Sequence, residues 1–460
     1  MRAGSCKADL KRFHPLLCQG EARCFALLFS KDLLLMKLAL FGLFAVITAF
    51  TYWLRHINLQ YLKLHGSQIP QGFEGIIDEE KLRTSTAYTV DSSRLGLWDS
   101  LFDNCLLILF LFGGLLTVYD RFIGGLGASS IVSAVLFFLL LTLTQTLLGI
   151  PFDLYGTFVI EARYGFNTTT PKLWVADLIK SQAIGAVLLA FLVGTVFWLI
   201  RWSPQQWWLW VWGFMAVFSL LMMFISPYVI EPLFNTYEPV TEEGLEDEIR
   251  VMMEKAGLKV GKVLQMDASR RSRHSNAYFT GIGRVKRIVL YDTLIRQMCH
   301  GEIVAVLAHE IGHWKKGHIW KRLLWAEALA LAGSWISFRL LSWPGLPGLL
   351  GLPVDISLAA KMVVLGFVAS LALFPLGPFS AWRSRCQERE ADRFAADLTG
   401  RPQDLAAALV KMSAENLSNL FPHPFYAAFY YSHPPTVERV SQLQEWDHQS
   451  DRFPCVPSTQ

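Results

Sequence analysis

The sequence predicts an α-helical integral membrane protein of about seven spans, with a polar α+β domain split between two separate segments. Three observations predict it. Apolar residues make up 53% of the chain and charged residues only 17%, whereas a soluble domain carries about a quarter charged residues. Several apolar stretches approach the ~20 helical residues that a bilayer crossing takes. Two polar stretches, 231–321 and 383–460, remain between and after them. A net charge of +4 with dispersed Lys and Arg excludes a nucleic-acid footprint. The 7 cysteines contain no C-x-x-C pair, so neither a disulfide framework nor a cysteine zinc site is expected, and a reducing or membrane setting fits.

Residues 33–54 form the first expected span, interrupted only by Lys37 near its start. It is longer than a signal-peptide core and reads as a retained anchor. The second, 101–119, carries Asp103 in its first turn, while 127–150 and 181–200 are uncharged. The fifth, 206–229, opens with QQWWLWVW, the composition of an interfacial aromatic belt. The sixth, 322–342, contains Glu327 and Arg339. Intramembrane charges rarely face lipid, so Glu327 either lines a protein interior or marks a span that starts later. The seventh, 362–382, has no charge. Loops are expected over 55–100 and 151–180. Within the first polar segment, TEEGLEDEIRVMMEKAG (241–257) has helical apolar spacing, and NAYFTGIGRVKRIVLYD (276–292) reads as two strands around a Gly-rich turn.

The next helix carries LAHEIGHWKKGH (307–318). Residues four apart share a helix face, so His309 and His313 can offer two imidazoles to one zinc ion, with Glu310 beside them to take a proton from water activated there. The same pattern also arises as two surface histidines flanking an ordinary glutamate. A catalytic zinc wants three protein ligands and an open position, which directs attention to SRCQEREADRFAADL (384–398). There Glu388 and Asp392 are again four apart, and Glu390 points about half a turn away. Glu388 can ligand the metal while Asp392 bonds the free nitrogen of a ligand histidine. The alternative is a solvated helix whose Arg385, Arg389 and Arg393 pair those carboxylates. Topology constrains the choice, because the histidines and Glu388 share a membrane side only if the sixth span is real. Glu388 also lies six residues beyond Trp382, about 9 Å along a helix, which sets the metal at or just inside the membrane surface. His318, five residues past His313, is expected to end the helix.

These stretches, with PFDLYGTFVIEARYGFN (151–167), HSNAYFTGIGRVKRIVLYDTL (274–294) and YSHPPTVERV (431–440), resemble the Ste24 type of membrane zinc metalloprotease, also called CAAX prenyl protease 1, over residues 60–440. The resemblance implies seven helices enclosing a chamber that holds one zinc ion, with a gluzincin-like protease domain. It implies His309, His313 and Glu388 as zinc ligands, Glu310 as general base and Asp392 as a supporting carboxylate. It implies His433 as a stabiliser of the tetrahedral intermediate, with Arg439 behind it, and Asn276, Ala277 and Tyr278 as the edge strand that receives an extended peptide. Ordinary alternatives are a helix start at His433 before two prolines and a plain hairpin at NAYF. Expected partners are peptide or protein substrates at the membrane, including prenylated C-termini, and the bilayer itself. A membrane quality-control protease of the HtpX kind, and a transporter or scaffold with structural zinc, are the rival functions.

The chain then divides into a leader (1–31), spans one to five (32–230), a first protease segment (231–321), spans six and seven (322–382) and a second protease segment (383–460). The leader has no counterpart in the resemblance, and Met36, opening MKLALFGLFAVITAF, is a second candidate start. Without the leader, Arg55, Lys63, Lys81, Arg83, Arg94, Arg163, Lys172 and Lys180 fall in loops on the catalytic side, against Arg121 and Arg201 on the other. The positive-inside rule places the site in the cytoplasm, in a bacterial inner membrane or an endoplasmic-reticulum type of membrane. The leader's own Lys and Arg residues argue the opposite way.

Overall fold

A computed structural model describes the backbone of residues 14–280 and 285–450. The first 13 residues of the leader and the Gly-rich turn of the hairpin lie outside the described residues. Helices α1 (His14–His65) and α2 (Glu79–Leu111) lead into α3 (Leu115–Gly125), α4 (Ser130–Tyr155), α5 (Pro171–Trp202) and α6 (Trp207–Ile225). Three of these starts have a side-chain cap. Asp78 accepts the Lys81 amide at α2, Ser129 that of Val132 at α4, and Thr170 that of Leu173 at α5, where Pro171 fills a first-turn position. Among the described residues five helices are long and apolar enough to cross a membrane, or up to seven if two bent pairs each form one span. In α1, α6 and α10 (His318–Leu341) no residue of the most apolar window is buried inside the protein. Such faces need hydrocarbon rather than water around them.

The span boundaries differ from the hydropathy reading. The second expected span is two helices, α2 and α3, bent by 65° at Phe112–Gly114, where Gly114 adopts a φ of 85°. The seventh breaks between α11 (Leu358–Leu373) and α12 (Leu376–Thr399) at Pro375, with a 59° bend. Proline has no amide proton to continue the helix. The expected loops 55–100 and 151–180 are largely helical, because α1, α2 and α4 run on past their apolar segments. Hydropathy marks only the lipid-facing part of a helix, whereas backbone hydrogen bonding continues through Glu, Lys and Arg. Helix α4 passes directly into a π-helical turn, Gly156–Glu161.

The first polar segment forms β1 (Tyr237–Pro239), α7 (Leu245–Lys255), β2 (Lys259–Met266), β3 (Ala277–Thr280), β4 (Val285–Tyr291), α8 (Asp292–Gln297) and α9 (His300–Lys315). The sheet order is β1-β2-β4-β3, with β2 and β4 parallel and the outer pairs antiparallel. Strand β3 is therefore an edge, in register Ala277↔Leu290 and Tyr278↔Val289. After α10 to α12 the chain returns through α13 (Pro402–Glu415), α14 (Pro424–Tyr430) and α15 (Thr436–Ser450). One buried core joins the two polar segments: Ile249 and Met253 of α7, Ile288 and Leu290 of β4, Ile303, Leu307 and Ile311 of α9, Ala395 of α12, Val410 of α13, and Val440 and Leu443 of α15. Phe73 and Ile77, from the connection before α2, complete it. Between α2, α3, α4 and α11 lies a cavity of about 1530 Å³, lined mainly by apolar groups such as Phe110, Phe152 and Phe367, with Asp99 and Asp103 among them. The metal-ligand candidates are not among its lining residues.

Candidate metal centre

Helices α9 and α12 cross closely enough that a methyl group on Gly312 would lie 2.9 Å from the Ala391 Cα. That approach sets His309 and His313 on one helix against Glu388 on the other. One ligand atom from each of the three lies within 4.8 Å of the others. The two Nε2 atoms are 3.2 Å apart, and the Glu388 oxygens lie 3.2 Å from His309 Nε2 and 3.3 Å from His313 Nε2. His309 is 7% exposed and Glu388 3%.

The hydrogen bonds around this cluster decide what it can hold. Asp392 Oδ1 sits 2.7 Å from His309 Nδ1. A carboxylate accepts only, so that ring nitrogen carries the proton and Nε2 presents a lone pair. His313 is held differently. Its Nδ1 faces His318 Nδ1 at 2.9 Å, and His318 Nε2 faces Glu390 Oε2 at 3.0 Å. Glu390 accepts from His318 Nε2, so with neutral rings His318 Nδ1 accepts from His313 Nδ1, leaving a second lone pair at His313 Nε2. Glu388 Oε2 is buried and has no hydrogen-bond partner. Two nitrogen lone pairs and an unsatisfied carboxylate oxygen thus converge in a site sheltered from water. They repel one another unless a cation lies between them, so the donor set fits a metal ion. Burial opposes charge on His309, but without a metal ion Asp392 and Glu388 outweigh it and push its pKa up to about 9, so a metal binds there by displacing the Nε2 proton. The centre is built for positive charge.

The surroundings assign the remaining predicted residues. Arg439, 8% exposed, grips Asp392 in a two-pronged ion pair at 2.8 and 2.6 Å, with its other contact at His309 Nδ1, 3.5 Å away. Burial opposes its charge, yet Asp392 holds its pKa above the ordinary value. Arg439 therefore supports Asp392 and His309 from behind. His433 approaches from the open side, with an exposed side chain whose Nε2 is 3.5 Å from Glu388 Oε2 and whose Nδ1 is 2.9 Å from Ser432 Oγ. Glu310 is half-buried on α9 next to His309. Arg385 bonds the carbonyls of Ala427 and Tyr431, Arg389 pairs with Glu438, and Arg393 lies over the Trp446 ring. The solvated-helix alternative, in which they neutralise Glu388 and Asp392, does not describe this fold.

Asn276, Ala277 and Tyr278 lie at the start of edge strand β3, against which α9 packs. Asn276 Oδ1 accepts from the Ala277 amide at 2.8 Å, Ala277 is buried, and the Tyr278 hydroxyl donates to Glu231 at 2.7 Å. Tyr278 is thus directed toward the end of the fifth span. His318 does not end the metal helix. Gly317, with a φ of 66°, separates the helices, and His318 opens α10, 1% exposed. Glu390 points away from Glu388 and Asp392, and on that side it accepts from His318 Nε2. A third histidine five residues past the pair, and a second acid two residues past Glu388, are the signals for both.

Residues 58–236 match the family described as "CAAX prenyl protease N-terminal, five membrane helices", and residues 239–447 match "Peptidase family M48". A CAAX prenyl protease 1 homolog of Arabidopsis thaliana is 34% identical, over 89% of this chain and 98% of the relative. The Homo sapiens CAAX prenyl protease 1 homolog is 30% identical, over 82% of this chain and 89% of the relative. The crystal structure of S. mikatae Ste24p superposes with a TM-score of 0.81 at 27% identity, over 89% of this chain and 98% of that one. These matches favour the Ste24 type over the HtpX-like alternative and set aside a transporter or scaffold. With a largely buried donor set made for a metal, on helices next to candidate membrane spans, the chain belongs to peptidase family M48 and is an integral multi-pass membrane metalloendopeptidase of the CAAX prenyl protease 1 type.

Proposed function

We propose that the metal is one zinc ion, held by His309, His313 and Glu388, and that the enzyme cleaves peptides near their C-termini at the cytoplasmic membrane surface. The observation that carries this is the convergence of three ligand atoms, from the buried His309 and Glu388 and the half-buried His313, whose supporting hydrogen bonds leave lone pairs facing one another. Two imidazoles and a carboxylate are a catalytic zinc set with room for a further ligand. Bound zinc supplies Lewis acidity toward the scissile carbonyl and toward the attacking water. Glu310 takes the proton of that water and passes it to the leaving amine. His433, on the open side, donates to the carbonyl oxygen as charge develops there. Asp392 keeps His309 in the tautomer that ligates, and Arg439 keeps Asp392 ionised. The substrate extends along residues 276–280 as an added strand, an arrangement supported by the edge position of β3.

The relatives' name points to C-termini of the C-a-a-X type, whose cysteine carries a prenyl chain. The largely apolar cavity of about 1530 Å³ supports such an occupant. One experiment tests chemistry and substrate together. Wild type and Glu310→Gln are assayed on a farnesylated C-terminal peptide and its unmodified form, with zinc content measured in parallel. The expected result is a ~10²–10⁴-fold fall in kcat for Glu310→Gln at full zinc content, with the farnesylated peptide cleaved more efficiently by wild type. Undiminished cleavage by the variant sinks the mechanism, and equal kcat/KM for the two peptides sinks the prenyl preference.

A further inference from the structure

We propose that His274 is a positioning residue that fixes the edge strand β3 from the membrane half of the protein, acting through Glu161. It lies two residues before Asn276, where the chain enters the strand. Its ring Nε2 is 3.3 Å from Glu161 Oε2, at the end of the π-helical turn, and its Nδ1 is 3.1 Å from Asn416 Oδ1, at the end of α13. The Ser275 amide donates to the same Asn416 oxygen at 3.2 Å. The ring also stacks on Phe166, with centroids 4.0 Å apart and planes 22° from parallel. One side chain thus ties the strand entrance to the third membrane span and to the second protease segment.

Both anchors are braced independently. Tyr88 donates to Glu161 Oε1 at 2.6 Å, and Ser85, one turn earlier on α2, donates to the Ser418 carbonyl at 2.7 Å. Between Asn416 and Ser418, Leu417 has a φ of 47°, and among the described residues it is the non-glycine residue found in the left-handed region. Such backbone costs on the order of 1–3 kcal/mol and persists where surrounding structure over-determines it. A π-helical turn inserts one extra residue and is frequent at functional sites, and here it ends on Glu161. Upstream, Thr168 N donates to the Arg271 carbonyl at 3.3 Å and Arg273 N to the Phe166 carbonyl at 3.1 Å, while Arg271 grips Asp177 of α5. The segment 166–169 therefore holds 271–273 as a short backbone ladder. The metal cluster uses none of these groups, yet they converge on the entrance to the strand that is to pair with substrate. Tyr88 and Glu161 also line the cavity between α2, α3, α4 and α11, so the brace faces it.

The inference rests on the strand-addition reading, and its test separates the two. Wild type, His274→Ala, Glu161→Gln and the double variant are assayed on a peptide and on its analogue N-methylated at the strand-pairing amides, with zinc content and thermal unfolding recorded. Each single variant is expected to raise KM about tenfold, the equivalent of one charge-assisted hydrogen bond. Their kcat stays within about threefold of wild type and zinc content is full. The double variant is expected to exceed the larger single effect only slightly, because the His274–Glu161 tie is already lost in either single variant. N-methylation is expected to raise the wild-type KM and to add little in His274→Ala. Unchanged KM in both single variants, additive effects in the double variant, or a fall in kcat at constant KM overturns the positioning role while leaving strand addition standing. Loss of zinc or of folding in His274→Ala, with Glu161→Gln unaffected, overturns it too. A wild-type KM indifferent to N-methylation overturns strand addition itself.

Discussion

At the residue scale the two zinc-ligand candidates on α9 are equivalent in sequence and unequal in structure. His309 is backed by a buried carboxylate that is itself locked by Arg439, whereas His313 is backed by another neutral ring and, beyond it, by the half-exposed Glu390. A partner that hydrogen-bonds a metal-bound histidine typically changes metal affinity 10–100-fold. His318→Ala is expected to lower zinc affinity by about that factor, and His318→Gln to restore part of it through its amide. Competition against a chromophoric chelator measures both, and unchanged affinity in His318→Ala refutes the support role. Glu388 and Asp392 were legible because spacing of four on a helix places them on one face. His318 was not, because on one continuous helix a residue five beyond His313 lies off the ligand face. The break at Gly317 swings His318 back onto His313, and a break of that kind is a backbone conformation that side-chain spacing does not encode.

At the scale of elements, what brings the ligands together is the crossing of α9 and α12. Gly312 lies within the metal motif, between the two histidines, at the point where the helices meet. A Cβ there would approach the Ala391 Cα to 2.9 Å and its carbonyl oxygen to 3.1 Å, both backbone atoms that cannot rotate away. Gly312→Ala must push the helices apart by several tenths of an ångström, which costs ~1–3 kcal/mol as overpacking does. The same displacement separates Glu388 from the histidines. The expected outcome is a lower Tm together with weaker zinc retention. Ala391→Gly should recover part of both, since it removes the Ala391 Cβ, 3.3 Å away. A Gly312→Ala variant with wild-type zinc affinity refutes the claim that this contact sets ligand distance. The helix and the two strands of the hairpin were readable from periodicity, while the edge position of β3 was implied only by the family resemblance. The crossing was not, because a glycine inside a helix reads first as a weak helix former.

For the whole molecule, hydropathy located the apolar helices, five alone or up to seven with the two bent pairs counted as spans among the described residues, but not their shape. Long uncharged runs betray burial in hydrocarbon regardless of context. The bends at Gly114 and Pro375, the polar continuations of α1, α2 and α4, and the closure of two distant segments into one core depend on tertiary contacts. The metal centre's reliance on a sixth span rests on α10, which is long and apolar enough to cross and joins α9 to the α11–α12 pair that carries Glu388. Orientation is the remaining whole-molecule property, and the structure makes it testable at two residues. Lys81 pairs with Glu415 of the second protease segment at 3.3 Å, so it shares a side with the metal. On α5, Asp177 pairs with Arg271 near the sheet, while Arg201 donates to Ser130 at the far end. The 24 helical steps from Asp177 to Arg201 span about 36 Å, more than the ~30 Å hydrocarbon core. Lys81→Cys and Arg201→Cys, each in a cysteine-free background, are then exposed to a membrane-impermeant maleimide in sealed vesicles of known sidedness. An exposed ion pair contributes ~0–1 kcal/mol, so replacing Lys81 leaves the fold intact. Labelling of Lys81→Cys from the cytoplasmic face alone, and of Arg201→Cys from the opposite face alone, is the expected pattern. Reversal of the two would put the metal centre outside the cytoplasm and the leader's basic residues in command of topology. Labelling of both from one face would mean that α5 does not cross, and the span count would fail with it.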